Sequence, residues 1–125
     1  MKKIILGFML CFFSSLALSK SHVIYLSCPG VDERATDLKV ILDQDNGSAS
    51  LQTNEGGQGL NFTSPASFGP EQVSWRKDFK GYKQTFSVNR SSLKLERKTF
   101  SAMTGETYVE KSDCAIVKSA QKNKF

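Results

Sequence analysis

Apolar and polar residues alternate over short stretches of this chain, and clusters of Gly, Asn, Asp, Ser and Pro separate the stretches. A period of two sends successive side chains to opposite faces of a strand, so each stretch has one face to bury and one to leave in water. Beyond the first 19 residues no segment sustains a helical period across three turns. The reading is therefore all-β: a small antiparallel β-barrel or sandwich of about eight strands. The strands fall at 22–27, 37–43, 48–53, 60–63, 72–77, 82–88, 93–100 and 107–117, the last being either one bulged strand or two. At 125 residues, 39% hydrophobic and 23% charged, the chain has room for one domain of ordinary size.

Two hairpins follow from parity. Leu38, Val40 and Leu42 lie two apart, and after Gln44, Asp45, Asn46 and Gly47 the alternation resumes at Ala49 and Leu51. Asn-Gly tolerates the positive φ of a tight hairpin turn, and loops of two or four residues both keep Val40 and Leu42 on the face of Leu51. In the second hairpin a four-residue loop, 89–92, pairs Val88 with Leu93 and Phe86 with Leu95. That leaves Lys83, Thr85, Ser87, Lys94, Glu96 and Lys98 on a solvated face. Between the hairpins, 54–59 is rich in Gly and 64–71 carries Pro65 and Pro70. This least regular region is read as loops, with Phe62 and Phe68 either binding a partner or capping an open end of the fold.

The first 19 residues have the three-part order of an export signal. Lys2 and Lys3 precede an apolar run from Ile4 to Phe13, and small residues including Ala17 and Ser19 lead to a cut before Lys20. The run is too short for a membrane-spanning helix, which needs about 20 apolar residues. The expected organisation is a signal peptide over 1–19, a β domain over 20–117 and a basic tail over 118–125 holding Lys118, Lys122 and Lys124, with no membrane span left after cleavage. Cleavage removes Cys11 and leaves Cys28 and Cys114, one pair in a compartment that permits oxidation. Their disulfide would close a separation of 86 residues and tie the N- and C-terminal strands together.

Charge argues against nucleic acid as a partner. Losing Lys2 and Lys3 leaves 15 basic residues against 12 acidic ones, a balance of +3, whereas nucleic-acid binders carry a denser cationic face. Known catalytic patterns are not met either. The mature chain keeps one histidine, His22, near its predicted start and without a nucleophile-elbow sequence. One His and a disulfide do not make a zinc site. Asp43, Asp45 and Gly47 begin like a calcium loop, but the position that should carry a bidentate Glu is Asn54, and a hairpin turn explains the same residues. Asp32, Glu33 and Asp37 cluster with Arg34 in what reads as a solvated loop. In the segment 75–83 aromatics alternate with positive charge, yet Trp75 and Tyr82 have the parity of core residues, which leaves Lys77 and Lys80 in a charged turn. No metal or cofactor is expected.

Gly105, Glu106, Thr107 and Tyr108 form a Gly-x-x-Tyr sequence that resembles the periplasmic and membrane-anchored inhibitors of C-type lysozyme, small exported β-barrels that insert a loop into the lysozyme cleft. Size, leader and disulfide-compatible ends are similar. The resemblance covers four residues, and the family's following Trp-x-Lys-Gly is replaced by Val109, Glu110, Lys111, Ser112, Asp113 and Cys114. It implies a loop in which Gly105 permits close backbone approach, Tyr108 supports the loop or meets the target, and the hydroxyls of Thr104 and Thr107 face lysozyme carboxylates. More broadly, the chain resembles short exported single-disulfide bacterial β proteins with an Asn-Arg turn, here Asn89 and Arg90, before a C-terminal Cys. That group shares no established activity.

The expectation from sequence is thus a periplasmic or secreted monomer, a non-enzymatic binding module for an envelope protein or glycan. Lysozyme inhibition is its most concrete version, and a small envelope hydrolase is the opposing one.

Overall fold

The computed structural model describes residues 22–55 and 58–117; the expected signal peptide and basic tail lie outside them. Among the described residues nine antiparallel strands form one sheet: β1 (Val23–Ser27), β2 (Lys39–Asp43), β3 (Ser48–Gln52), β4 (Phe62–Phe68), β5 (Gln72–Phe79), β6 (Tyr82–Asn89), β7 (Lys94–Ser101), β8 (Thr107–Asp113) and β9 (Ala115–Val117). The order is β8-β7-β6-β5-β4-β3-β2-β1-β9. Each strand from β1 to β8 therefore pairs with its neighbours in sequence. The two edge strands are themselves consecutive: β8 pairs with β7, the chain passes Cys114, and β9 pairs with β1. The sheet so curls into a nearly closed barrel rather than a sandwich. The count exceeds eight because segment 107–117 changes partner at Cys114 and becomes two strands.

Cys28 and Cys114 are disulfide-bonded, with Cα atoms 4.4 Å apart. The bond lies where β9 meets β1. Beside it Gly30 N–H donates to Ser112 Oγ at 2.9 Å, so the loop after β1 is held against β8 across the remaining gap.

In the first hairpin Val40 faces Leu51 and Leu42 faces Ala49, with Asp43 opposite Ser48 across a four-residue turn. Gly47 there has φ +62°, the left-handed conformation that Asn-Gly anticipates. The second hairpin differs from the expected pairing by two residues: Val88 faces Leu95, and Phe86 faces Arg97. The cause lies in the turn. Asn89 Oδ1 accepts from the N–H groups of both Ser91 and Ser92 at 2.8 Å, and Leu93, at φ +63°, closes the turn instead of beginning the strand. A two-residue shift preserves parity, so Phe86, Val88 and Leu95 still point inward and are buried. Its consequence is that an arginine stands opposite the central phenylalanine.

The 64–71 region is also more regular than its two prolines imply. β4 runs through Pro65, which sits where the strand's pairing passes from β3 (through Pro65) to β5 (from Ala66). A missing N–H is tolerated at such a switch. Phe62 and Phe68 both pack against the core, one towards each end of the barrel. At its centre Trp75 stacks on Phe86, ring centroids 5.4 Å apart and nearly parallel. Around them Leu26, Leu38, Val40, Leu51, Val73, Val88 and Leu95 are buried.

Candidate functional site at the barrel mouth

Three strands stack their inward side chains in rows that descend from one end of the barrel. Tyr82 and Ser101 form the outermost row, then come Gln84, Thr99 and Tyr108, then Phe86, Arg97 and Glu110, and finally Val88, Leu95 and Ser112. The last row is core; the row above it carries the charged pair Arg97 and Glu110, and the outer two carry neutral polar side chains and tyrosines. Between them lies an open cavity of about 640 Å³, bounded also by Phe79 of β5, Arg34 of the loop after β1 and the 3-10 turn Gln58–Leu60. Leu60 is buried beneath it. Gly59 lets the turn close on Phe79, since a Cβ there would meet the ring at 3.3 Å.

The wall of this cavity is an ionic cluster. Arg97 donates to Asp32 Oδ2 through Nη1 at 3.2 Å, to Glu110 Oε1 through Nε at 3.1 Å and to the Val31 carbonyl through Nη2 at 3.4 Å. Arg34 grips the same Asp32 with Nε at 3.0 Å, Nη2 at 2.8 Å and its own backbone N–H at 2.9 Å. The Arg34 hydrogen bond is the largest influence holding the Asp32 carboxyl well below the usual carboxylate range; burial opposes it and Arg97 adds to it. Asp32 in turn raises the Arg34 guanidinium. Asp32 and Arg97 are both buried.

The segment 31–37 is therefore not the uniformly solvated loop expected from its charges. Asp32 anchors the barrel's only described buried arginine, Glu33 is exposed, and Asp37 is partly buried, accepting from Thr53 Oγ1 and the Asn54 N–H. The first of these bonds is the main reason that the Asp37 carboxyl also sits below its ordinary value. Nothing in the segment 31–37 marks Asp32 as different from Glu33. For Arg97 a signal existed: it lies two residues beyond Leu95, on the inward parity. Its neighbours Glu96 and Lys98 hid that parity within a run of charge.

Two loops frame the mouth and are joined by the hydrogen bond from Ala102 N–H to Gly81 O at 3.0 Å. One is the two-residue turn Lys80–Gly81, with Gly81 at φ +90°. The other spans 102–106, where Gly105 at φ +74° donates to Ser101 O at 2.7 Å and Thr104 Oγ1 accepts from the Glu106 N–H. Thr104, Gly105, Thr107 and Tyr108 are all exposed. They do not converge. Tyr108 lies at the mouth with its hydroxyl donating to Glu106 at 2.9 Å, whereas Thr107 has the opposite parity and borders an outer groove beside Arg76, Lys98 and Phe100. Tyr82 is not a core residue either; it is 47% exposed at the rim and meets Phe79 edge-on. His22 stands near the far end of the barrel, its Nδ1 3.0 Å from Asp45 Oδ1.

The fold is a nearly closed antiparallel β-barrel, and this mouth is of a size to take a ligand. No family model, curated protein or solved structure matches the chain.

Proposed function

We infer that the protein is an exported, non-enzymatic binding module of the bacterial envelope, and that it meets a protein or glycan partner with the mouth framed by the 80–81 and 102–106 loops. The observation that carries this reading is the pairing of two exposed tyrosines, Tyr82 and Tyr108, with a cavity wall fixed by the Arg97 cluster. Tyrosine offers a large apolar face and a polar tip at small conformational cost, and it contributes most where rigid elements hold it in place. Export is supported by the leader-like first 19 residues and is compatible with the disulfide. The test is capture from envelope extracts with purified protein beginning at Lys20. A stoichiometric partner lost on Tyr82→Ala/Tyr108→Ala substitution is the expected result. Capture unchanged by both substitutions, or no partner of any class, refutes the mouth as the binding surface.

Lysozyme inhibition is a narrower version, favoured by the 102–106 loop. A Cβ built on Gly105 meets nothing within 4 Å, so the backbone there is open to a partner's cleft. Titration against C-type and other lysozymes tests it. Absence of inhibition at micromolar excess, or inhibition indifferent to Gly105 and Tyr108 substitutions, removes it. Asp32 does not suit the general acid of a hydrolase, whose carboxyl must be held up towards neutrality, because its two arginines hold it down.

A further inference from the structure

We propose that the mouth binds an uncharged glycan segment, with sugar rings against Tyr82 and Tyr108 and a hydroxyl or amide group of the glycan hydrogen-bonded to the Gln84 amide. The proposal rests on the reading of the mouth as the binding surface and names its ligand class.

Charge sets the first restriction. The two guanidinium groups that border the cavity, Arg34 and Arg97, are matched by the carboxylates of Asp32 and Glu110. Further out, Lys77 lies over the Phe79 ring at 5.7 Å, Lys80 sits in the 80–81 turn, and Glu106 accepts from the Tyr108 hydroxyl. An anion entering the cavity meets Glu110, and a cation meets Arg34 and Arg97. Neither gains an unmatched partner, so the site favours a ligand without net charge.

Hydrogen bonding sets the second. Gln84 Nε2 donates to Thr99 Oγ1 at 3.2 Å, while Gln84 Oε1 is buried with no hydrogen-bond partner. Reversing the amide changes which end is unsatisfied and leaves one end unsatisfied still. Gln84 lines the cavity, and its unmatched amide end, closed off as the side chain stands, is completed when a small turn of the side chain presents it to a hydrogen-bonding group there. Hydroxyl and amide groups supply a donor or an acceptor for it without charge.

Shape sets the third. Tyr82 and Tyr108 are 47% and 46% exposed and stand on adjacent rows of the same face, with Phe79 beside Tyr82. Their negative ring faces suit the C–H edges of a saccharide ring. A cavity of about 640 Å³ is in the range that takes a small ligand or a few linked sugar rings. Flat apolar faces, an unmatched amide end and paired ions along the cavity wall match a neutral saccharide better than a lipid chain, which would leave Gln84 unsatisfied.

The experiment is an amide-resolved NMR titration of the purified protein beginning at Lys20 with three probes: tri-N-acetylglucosamine, cellotriose and trigalacturonate. The expected result is saturable shifts from a neutral trisaccharide, confined to residues around Phe79, Tyr82, Gln84, Thr99 and Tyr108, with little response to the anionic probe. Gln84→Leu should weaken the neutral probe about tenfold. Tyr108→Ala, at an exposed position that leaves the core intact, should weaken it by at least as much. Shifts from trigalacturonate alone, shifts away from the mouth, or no shift from either neutral probe at millimolar concentration overturn the glycan assignment. If envelope capture still yields a protein partner that Tyr82→Ala/Tyr108→Ala abolishes, the mouth stands as the binding surface and only its ligand class falls.

Discussion

Asp32→Asn removes one charge from a carboxylate that serves four donors, three from Arg34 and one from Arg97. The two arginines lose different things. The Arg34 side chain is 68% exposed, so water replaces most of its loss, which comes to about 1 kcal/mol or less. The Arg97 side chain is only 9% exposed, so water replaces little of its loss, but Glu110 at 3.1 Å remains. Removing one partner of a buried ion pair costs about 3–5 kcal/mol. With one of two carboxylates retained, the lower end applies, about 3 kcal/mol. At an m-value of roughly 1.5 kcal/mol per molar urea, the unfolding midpoint of the disulfide-intact protein should fall by about 2 M. Because the folded-state pKa of Asp32 is lowered, its stabilisation is complete above the unfolded-state value of about 3.9 and is lost as pH falls below it towards the folded value. The gap between wild type and variant should therefore be full at neutral pH and narrow in acid, where wild-type Asp32 becomes protonated too. Adding Arg97→Met should recover part of the loss, since no uncompensated buried charge then remains. A midpoint within about 0.3 M of wild type at neutral pH, or a gap that does not narrow below about pH 4, would refute the view that Asp32 holds Arg97 in place.

Phe86→Ala should cost about 3–5 kcal/mol, because the ring is 1% exposed and stacked on Trp75; loss below about 1 kcal/mol would contradict its central packing. Hydrogen exchange should be slowest in β6 and β7, whose ladder runs unbroken from Tyr82 to Val88. Protein isolated under non-reducing conditions after the proposed export should have a mass two hydrogens short, and Cys28→Ser/Cys114→Ser should lose up to about 4–5 kcal/mol. Two alkylatable thiols in the isolated protein would count against the bond. Leu93→Gly should change stability by less than about 1 kcal/mol, because relief of a left-handed leucine at about 1–2 kcal/mol offsets the loss of a half-buried side chain of similar size.

Parity was the part of this fold most open to reading from sequence. Leu42, Ala49 and Leu51, and likewise Phe86, Val88 and Leu95, alternate with polar residues, and each set lies on one buried face. Register was less legible, since it depends on how Asn89 and Leu93 close a turn, and that chemistry moves the partner of Phe86 from Leu95 to Arg97. The mouth was hardest to read. Its buried ions come from a polar loop and from the middle of a Glu-Arg-Lys run, where composition signals solvent. Only folding shows that Asp32 and Arg97, 65 residues apart, meet. Tyr108 was singled out by a four-residue resemblance, whereas its neighbours Gln84 and Thr99 carried no signal beyond strand alternation.

The path of the chain through Cys114 also governs the order in which the molecule can be completed. From β1 to β8 every ladder joins neighbours in sequence, so most pairings are local and need little loop closure. A single pairing, β1 with β9, spans nearly the whole domain, and β9 is the last described strand to leave the ribosome or a translocation pore. The open meander can therefore assemble while Cys28 waits without its partner, and closure and oxidation become one late event. Substitutions in β9 should slow the final folding phase and lengthen the time for which Cys28 is available to an oxidoreductase or a foreign thiol. Substitutions that weaken only the local β2–β3 hairpin should act mainly on earlier phases.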